Sequence, residues 1–412
     1  MADVLLPALV VAFVANTLAW AWVAMGWRRM ADGLAADGLA ADGLCEPVPE
    51  PAEEPGPPSP SAAVSPVPFS VVAAARDEAA RLPVLLRALR QQTHRDAAGR
   101  ALFEIVVVDD RSADDTAALV ERTAAGWTAT TDPALRLVRV SEPEAADGGP
   151  VLPPKKRALT AGIIAARHDR LALTDADTEP PPTWLATLAR HAAPGGADDG
   201  AVLVGFAPLA PRPGMLNRFI RYETLQTAAL AAAGIGWGRP WHATGRNLSY
   251  PRSLFERVGG FAATAGSLSG DDDLFVQHVA GTAEVRYVPD AAAHVPSPAP
   301  DGWGAFVRQR RRHASAGTHY TPGVLIGLGV LHVSAGVLWL GAPLLHALTG
   351  APTGWGFVAL HLLVQRAALA RPFDAFGAAP DVRLAQPLLD LAGTLYQAAA
   401  AVASLFPAPK RW

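Results

Sequence analysis

The sequence predicts an α/β domain built on a mainly parallel, Rossmann-like sheet and flanked at both ends by apolar helices that cross a membrane. Half of the 412 residues are hydrophobic and mean hydropathy is positive. The excess is concentrated at the two ends of the chain, the distribution of a membrane-anchored protein. From Pro68 onward, short apolar runs of strand length alternate with helical periodicity, the pattern of βαβ units. The run LALTDADTE at residues 171–179 reads as a buried strand that stops at two carboxylates, Asp175 and Asp177. At the C-terminal edge of an open α/β sheet such a pair faces the crevice where ligands bind, and hard oxygen ligands there suit Mg²⁺ or Mn²⁺ carrying a diphosphate. Taken alone, the same spacing also describes a turn or a helix N-cap before Pro180.

Charge and cysteine content exclude several classes. A formal net charge of −3 gives no basis for a nucleic-acid partner. The single cysteine, Cys45, rules out an intrachain disulfide and a cysteine-based metal centre.

Residues 1–30 are predicted as an N-terminal anchor. Residues 4–27 are apolar over roughly the ~20 residues needed to span a bilayer, and Arg28 and Arg29 follow directly. The positive-inside rule then places the following residues in the cytoplasm. The start, Met1-Ala2-Asp3, lacks the basic region of a secretory signal, so the anchor is expected to stay uncleaved. Residues 31–67 read as a tether: the unit ADGLA recurs, and a Pro/Glu/Ser/Ala-rich run poor in large apolar groups follows it.

Residues 68–317 form the predicted soluble domain. Strands are expected at 69–75, 103–108, 135–140, from 171, and at 201–208. Helices are expected at 77–91, with Leu82, Leu85, Leu86 and Leu89 on one face, and at 113–123, 156–167 and 216–233. The last of these carries Arg218 and Arg221 beside an apolar face, so it lies on a membrane surface or packs against the sheet. Trp237 and Trp241 could stack on a sugar or lipid acceptor, or be buried aromatics in a loop.

Residues 318–412 are a second membrane region with apolar runs at 324–347, 355–369 and 384–406. Arg308, Arg310, Arg311 and Arg312 precede it and again place the soluble domain in the cytoplasm, at the inner face of the cell membrane. If all three runs span, the tail Lys410-Arg411 ends outside, against the positive-inside rule. The last run, interrupted by Asp390 and Gln397, is therefore the one expected in the interface.

With these residues in hand the chain resembles the family 2 glycosyltransferases, inverting enzymes of GT-A fold that use nucleotide sugars, in their membrane-anchored, synthase-like form. The resemblance rests on motifs in the family's order. VVAAARDE at 71–78 is similar to its first strand and turn, and VVVDDRSADDT at 106–116 to its second-strand motif, with Arg111 where glycine is usual. PKKRALTAGI at 154–163 and TDAD at 174–177 look like its Lys-x-x-Ala-Leu segment and metal motif. GRNLSYPRSLFERVGGF at 245–261 is similar to the acceptor-side segment, GDDDLF at 270–275 to the catalytic-base motif, and QRRRH at 309–313 to Gln-x-x-Arg-Trp. Two further departures are Gly270 where Glu is usual and His313 where Trp is usual; they leave acceptor type and processivity open.

The resemblance implies roles. Ala74, Arg76, Glu78, Asp109 and Asp110 would bind the nucleotide, although Asp110 and Asp114 could instead cap the helix that follows. Lys155 or Lys156 would meet phosphate, the other being a surface lysine. Asp175 would take the ribose side and, with Asp177, a Mg²⁺ or Mn²⁺ ion that neutralises the leaving diphosphate. Asp271, aligned on Leu274, would be the base that removes the acceptor proton, with Asp272 the runner-up; an acidic helix N-terminus is the structural alternative. Gln309 and Arg312 would close over the diphosphate and the acceptor, and Gly245, Asn247 and Trp241 would lie on the acceptor side. The implied partners are a UDP- or GDP-type sugar donor, a lipid-linked or polysaccharide acceptor and the bilayer.

Two other classes compete. Nucleotidyl transfer uses similar carboxylates but expects a glycine-rich loop with Arg and Lys after the first strand, where this chain has AAARDEAARL. A non-catalytic membrane scaffold that kept the fold would not need carboxylates intact at three motif sites. Apolar segments this few favour a single transfer over a polymer-conducting channel.

Overall fold

The computed structural model describes residues 2–39, 67–140 and 151–403. Cys45, most of the predicted tether and the Lys410-Arg411 tail lie outside the described residues. The helices are α1 (Ala2–Ala36), α2 (Leu82–Arg90), α3 (Thr116–Gly126), α4 (Pro154–Ala165), α5 (Trp184–Ala192), α6 (Met215–Gly236), α7 (Arg252–Arg257), α8 (Asp273–Val279), α9 (Gly302–Gly317), α10 (Pro322–Thr349), α11 (Thr353–Ala375), α12 (Pro380–Leu384) and α13 (Gln386–Ala403). The strands are β1 (Phe69–Ala75), β2 (Phe103–Asp109), β3 (Ala134–Arg139), β4 (Arg170–Asp175), β5 (Val202–Gly205), β6 (Leu248–Pro251) and β7 (Val285–Val288). By its contacts the chain divides into two units, residues 31–210 with 242–298, and residues 1–30 with 211–241 and 299–412.

The first unit holds one seven-stranded sheet in the order β3-β2-β1-β4-β6-β5-β7. Pairing is parallel from β3 through β4 and between β5 and β7, and β6 runs antiparallel to both of its neighbours. Alternation along each central strand sends side chains to two covered faces. Val71, Ala73, Ile105 and Val107 pack with Leu82, Leu85 and Leu89 of α2 and with Trp184, Leu185 and Leu188 of α5. On the other face α4 lies close against β1 and β2: a Cβ at Gly162 would sit 2.6 Å from the side chains of both Val72 and Val108. Only glycine permits that approach.

Element boundaries depart from the sequence pattern where a turn intervenes. The pattern predicts a helix from residue 77, but it begins at Leu82, because Asp77 adopts φ 54° and gives its N–H to Ser112 Oγ at 3.0 Å. The helix predicted from 113 begins at Thr116, whose N–H donates to Asp114 Oδ1 at 3.0 Å in the turn before it. β6 and β7 are too short for their periodicity to be read, and the sequence pattern misses both.

The second unit is helical. The tether is predicted from residue 31, yet α1 runs on to Ala36, and this last stretch buries Ala31 and Leu34. α6 packs against α11, α12 and α13, with Ala228 to Gly234 buried throughout. Among the described helices, Ala2–Ala36 and Pro322–Thr349 are long and apolar enough to cross a membrane.

Candidate active site

Parallel pairing brings the ends of β1, β2 and β4 to one edge of the sheet. The register sets Ala75 opposite Asp109 and Ala74 opposite Asp175, so the carboxylates that end β2 and β4 flank the end of β1. The turns that follow β1 and β2 are stitched together. Ala113 N–H donates to Asp77 Oδ1 at 2.7 Å, and Glu78 N–H to Thr116 Oγ1 at 2.9 Å. Asp109 accepts Ser112 N–H at 3.3 Å, while Asp110 pairs with Arg111 at 3.2 Å and Arg157 at 3.4 Å. Arg111 stands where glycine is usual and takes φ 57°, a left-handed conformation that costs a side-chain-bearing residue free energy. Arg76 is exposed at this edge.

Lys155 is the centre of the cleft. Its Nζ lies 3.2 Å from Asp175 Oδ1 and 3.0 Å from Asp271 Oδ2, joining the end of β4 to the segment that opens α8. Burial opposes the ammonium, but Asp175, Asp271 and Asp272 outweigh it and hold the lysine above its usual pKa, fully charged.

Asp271 and Asp272 are adjacent and buried, yet differ in their partners. Asp272 is the N-cap of α8: it accepts Asp273 N–H at 2.8 Å and Gly245 N–H at 2.9 Å. Burial raises its pKa, but Lys155 and these two N–H groups pull it below the usual carboxylate range. Asp271 has no such N–H donors, and burial pushes its carboxyl above that range against the pull of Lys155. The phenol of Tyr250, also within the field of Asp271, is raised well above its ordinary value, chiefly by burial. Gly270, where the motif usually has Glu, suits the local backbone: it has φ +87°, and a Cβ there would lie 2.4 Å from Leu274.

Asp177 and Glu78 stand near Asp175 with too little positive charge to offset their burial. Asp177 is raised first by burial and then by Asp175, with Arg246 opposing; Glu78 is raised by burial, with Asp177 and Asp175 adding to it against Arg81. Among the described residues no three His, Cys, Asp or Glu side chains group closely enough to hold a metal by themselves. Asp175 and Asp177 would supply one or two carboxylates to a hard divalent ion that completes its shell from phosphate and water.

Several residues do other work than the motifs suggest. Lys156 is neither a phosphate ligand nor a surface lysine: it is buried and donates to Thr264 O and to Ser267 O at 3.1 Å, fixing the loop before Gly270. Asn247, expected on the acceptor side, is sealed in the interior. Its amide donates to Phe206 O at 2.9 Å and Ala293 O at 2.7 Å and accepts Trp184 Nε1–H at 2.9 Å, leaving nothing for a ligand. Gly245 does face the cleft, 3.3 Å from Asp271 and 3.5 Å from Lys155 by its Cβ direction.

Gln309, Arg312 and Trp241 belong to the helical unit. Gln309 and Arg312 lie on α9, whose Arg310 is anchored by an ion pair to Glu223 and stands 5.2 Å over the Phe306 ring. Trp241 gives its indole N–H to Leu230 O at 3.2 Å and meets Tyr320 edge-on, so it is packed within this unit. Trp237 is likewise a packing residue, stacked on Trp22 at 6.0 Å.

The model of glycosyl transferase family 2 matches residues 70–262, and that of glycosyl transferase family group 2 matches residues 171–371. The chain belongs to the family 2 glycosyltransferases. No curated protein matches it significantly by sequence. Among solved structures it is similar to the mannosyltransferase PcManGT of Pyrobaculum calidifontis in complex with GDP-Man and Mn²⁺, with TM-score 0.56 and 21% identity over 98% of this chain and 99% of that one. S. aureus TarS 1-349 in complex with UDP-GlcNAc matches at TM-score 0.41 and 15% identity over 78% of this chain and 91% of that one. The seven-stranded, mostly parallel sheet is thus a GT-A fold.

Proposed function

We propose that this glycosyltransferase moves a sugar, with inversion, from a UDP- or GDP-type donor to a lipid-linked or membrane-proximal acceptor, at the cytoplasmic face of a membrane held by its apolar helices. The observation that carries the reading is Lys155 between Asp175 and Asp271, which gathers the carboxylates of two motifs into one cleft. Asp271 is the base: it accepts the proton of the acceptor hydroxyl as that oxygen attacks the anomeric carbon from the face opposite the nucleotide. Asp272 holds the start of α8, and so the base, in place. Ala74, Arg76, Glu78, Asp109 and Asp110 take the nucleotide, and Asp175 the ribose side. Asp177 with Asp175 would hold Mg²⁺ or Mn²⁺, which neutralises the diphosphate as it leaves. A solved protein of the same fold carries GDP-Man and Mn²⁺, which makes both ligands reasonable probes. Gln309 and Arg312 are assigned to the diphosphate by their motif alone.

The test is a panel of nucleotide sugars against the purified full chain, read as a shift in melting temperature with and without Mn²⁺. At least one UDP- or GDP-sugar is expected to stabilise it, more strongly with metal, and Asp177→Asn should remove the metal-dependent part. No stabilisation by any of them, or stabilisation unchanged by excess chelator, would contradict the assignment.

A further inference from the structure

Within the helical unit a buried polar array surrounds Asp390 of α13, which is 6% exposed. Its carboxylate accepts Trp339 Nε1–H of α10 at 2.7 Å, is bonded to His361 Nε2 of α11 at 2.9 Å, and accepts the Gln365 amide. His361 Nδ1 lies 2.7 Å from Asn16 Oδ1 of α1, and the Asn16 amide donates to Ser334 Oγ at 2.8 Å. Polar groups among apolar helices are costly unless bonded, and this array is bonded throughout.

Beside it lies a small cavity of about 20 Å³ whose character differs. The side chains of Gln226, His332, Thr394 and Gln397 line it, and none of them has a hydrogen-bond partner among the described residues. Trp20 lines it too; it is 1% exposed and its indole N–H has no acceptor among the described residues. A buried donor left unmade costs about 1–3 kcal/mol, so this lining is complete only with a guest. Among the described residues no lysine or arginine lines the cavity. Of the carboxylates that do, Glu223 is paired with Arg310 and Asp390 is already surrounded by donors. An anionic head would therefore meet no free cation, whereas indole, amide, imidazole and hydroxyl groups match hydroxyls, which donate and accept at once. The cavity lies among helices that include the two long and apolar enough to cross a membrane, so a guest arriving from the bilayer carries an alkyl chain.

We propose that this cavity binds the hydroxylated head of a neutral amphiphile. As the side chains stand, free space admits about one water-sized group, which is the size of one hydroxyl. The proposal is independent of the donor cleft and of glycosyl transfer.

The test uses the full chain in an amine-oxide detergent, whose head lacks hydroxyls, titrated with 1-dodecanol, 1,2-dioctanoylglycerol or octyl β-glucoside. Octyl methyl ether and a dioctanoyl phosphatidic acid serve as controls, and the readouts are indole fluorescence and melting temperature. At least one hydroxylated amphiphile should give a saturable change that neither control gives, and which one saturates at the lowest concentration assigns the head. Thr394→Val and Gln226→Leu, made separately so that at least one folded variant is available, should each raise the half-saturating concentration by ~10-fold, the scale of one lost hydrogen bond. Absence of saturation by all three, an equal response to the ether or the phosphatidic acid, or unchanged half-saturation in the folded variants would overturn the proposal and leave a water site.

Discussion

The Asp272 carboxylate accepts the backbone N–H of Gly245 at 2.9 Å, tying the start of α8 to the loop that leads into β6. With its second bond, to Asp273 N–H, it behaves as a helix cap. Asp272→Ala should lower unfolding stability by ~1–2 kcal/mol, the range of a lost cap, measured from the denaturant midpoint. An unchanged midpoint would remove the structural role assigned to it.

Asn247 should behave as an interior residue. Asn247→Ala leaves Trp184 Nε1 and the Ala293 carbonyl without partners, each costing about 1–3 kcal/mol. The expected result is a large fall in melting temperature, with the KM for acceptor unchanged in whatever protein remains folded. A raised acceptor KM at full stability would return Asn247 to the acceptor side.

The pH dependence follows from Asp271. Burial raises its carboxyl above the usual range, and the base works only when ionised, so activity is lost as pH falls through that raised value. The acid limb of kcat/KM should therefore lie above about 3.9, the value for a solvated aspartate. Lys155 opposes the shift, so Lys155→Met should move the limb further upward. A limb that stays put, or moves down, would show that Lys155 does not act on the base.

Much of this was legible in the sequence, for a physical reason. Asp109 and Asp175 end apolar strands, and parallel strands of a βαβ sheet deliver their C-terminal ends to one edge, so a strand pattern alone puts those carboxylates together. Asp271 needed the motif, because an acidic helix start reads the same whether it caps or catalyses. What the pattern could not carry was the partner of a buried polar side chain. Lys156 reaches carbonyls more than a hundred residues away, and Asn247 bonds to Phe206, Ala293 and Trp184; residue type predicts neither. The placement of α6 was hidden likewise, since an apolar face does not name what covers it.

The account depends most on which of two adjacent aspartates removes the acceptor proton, and single substitutions to asparagine separate them while preserving shape. The measurement is the rate of sugar transfer by Asp271→Asn and Asp272→Asn, alongside donor affinity for each. Asp271→Asn should bind donor as the parent does and transfer ~10²-fold or more slowly, the scale of a general-base contribution, while Asp272→Asn retains far more activity. Transfer that survives in Asp271→Asn and is abolished in Asp272→Asn would move the base to the neighbouring residue, and transfer that survives in both would contradict the mechanism.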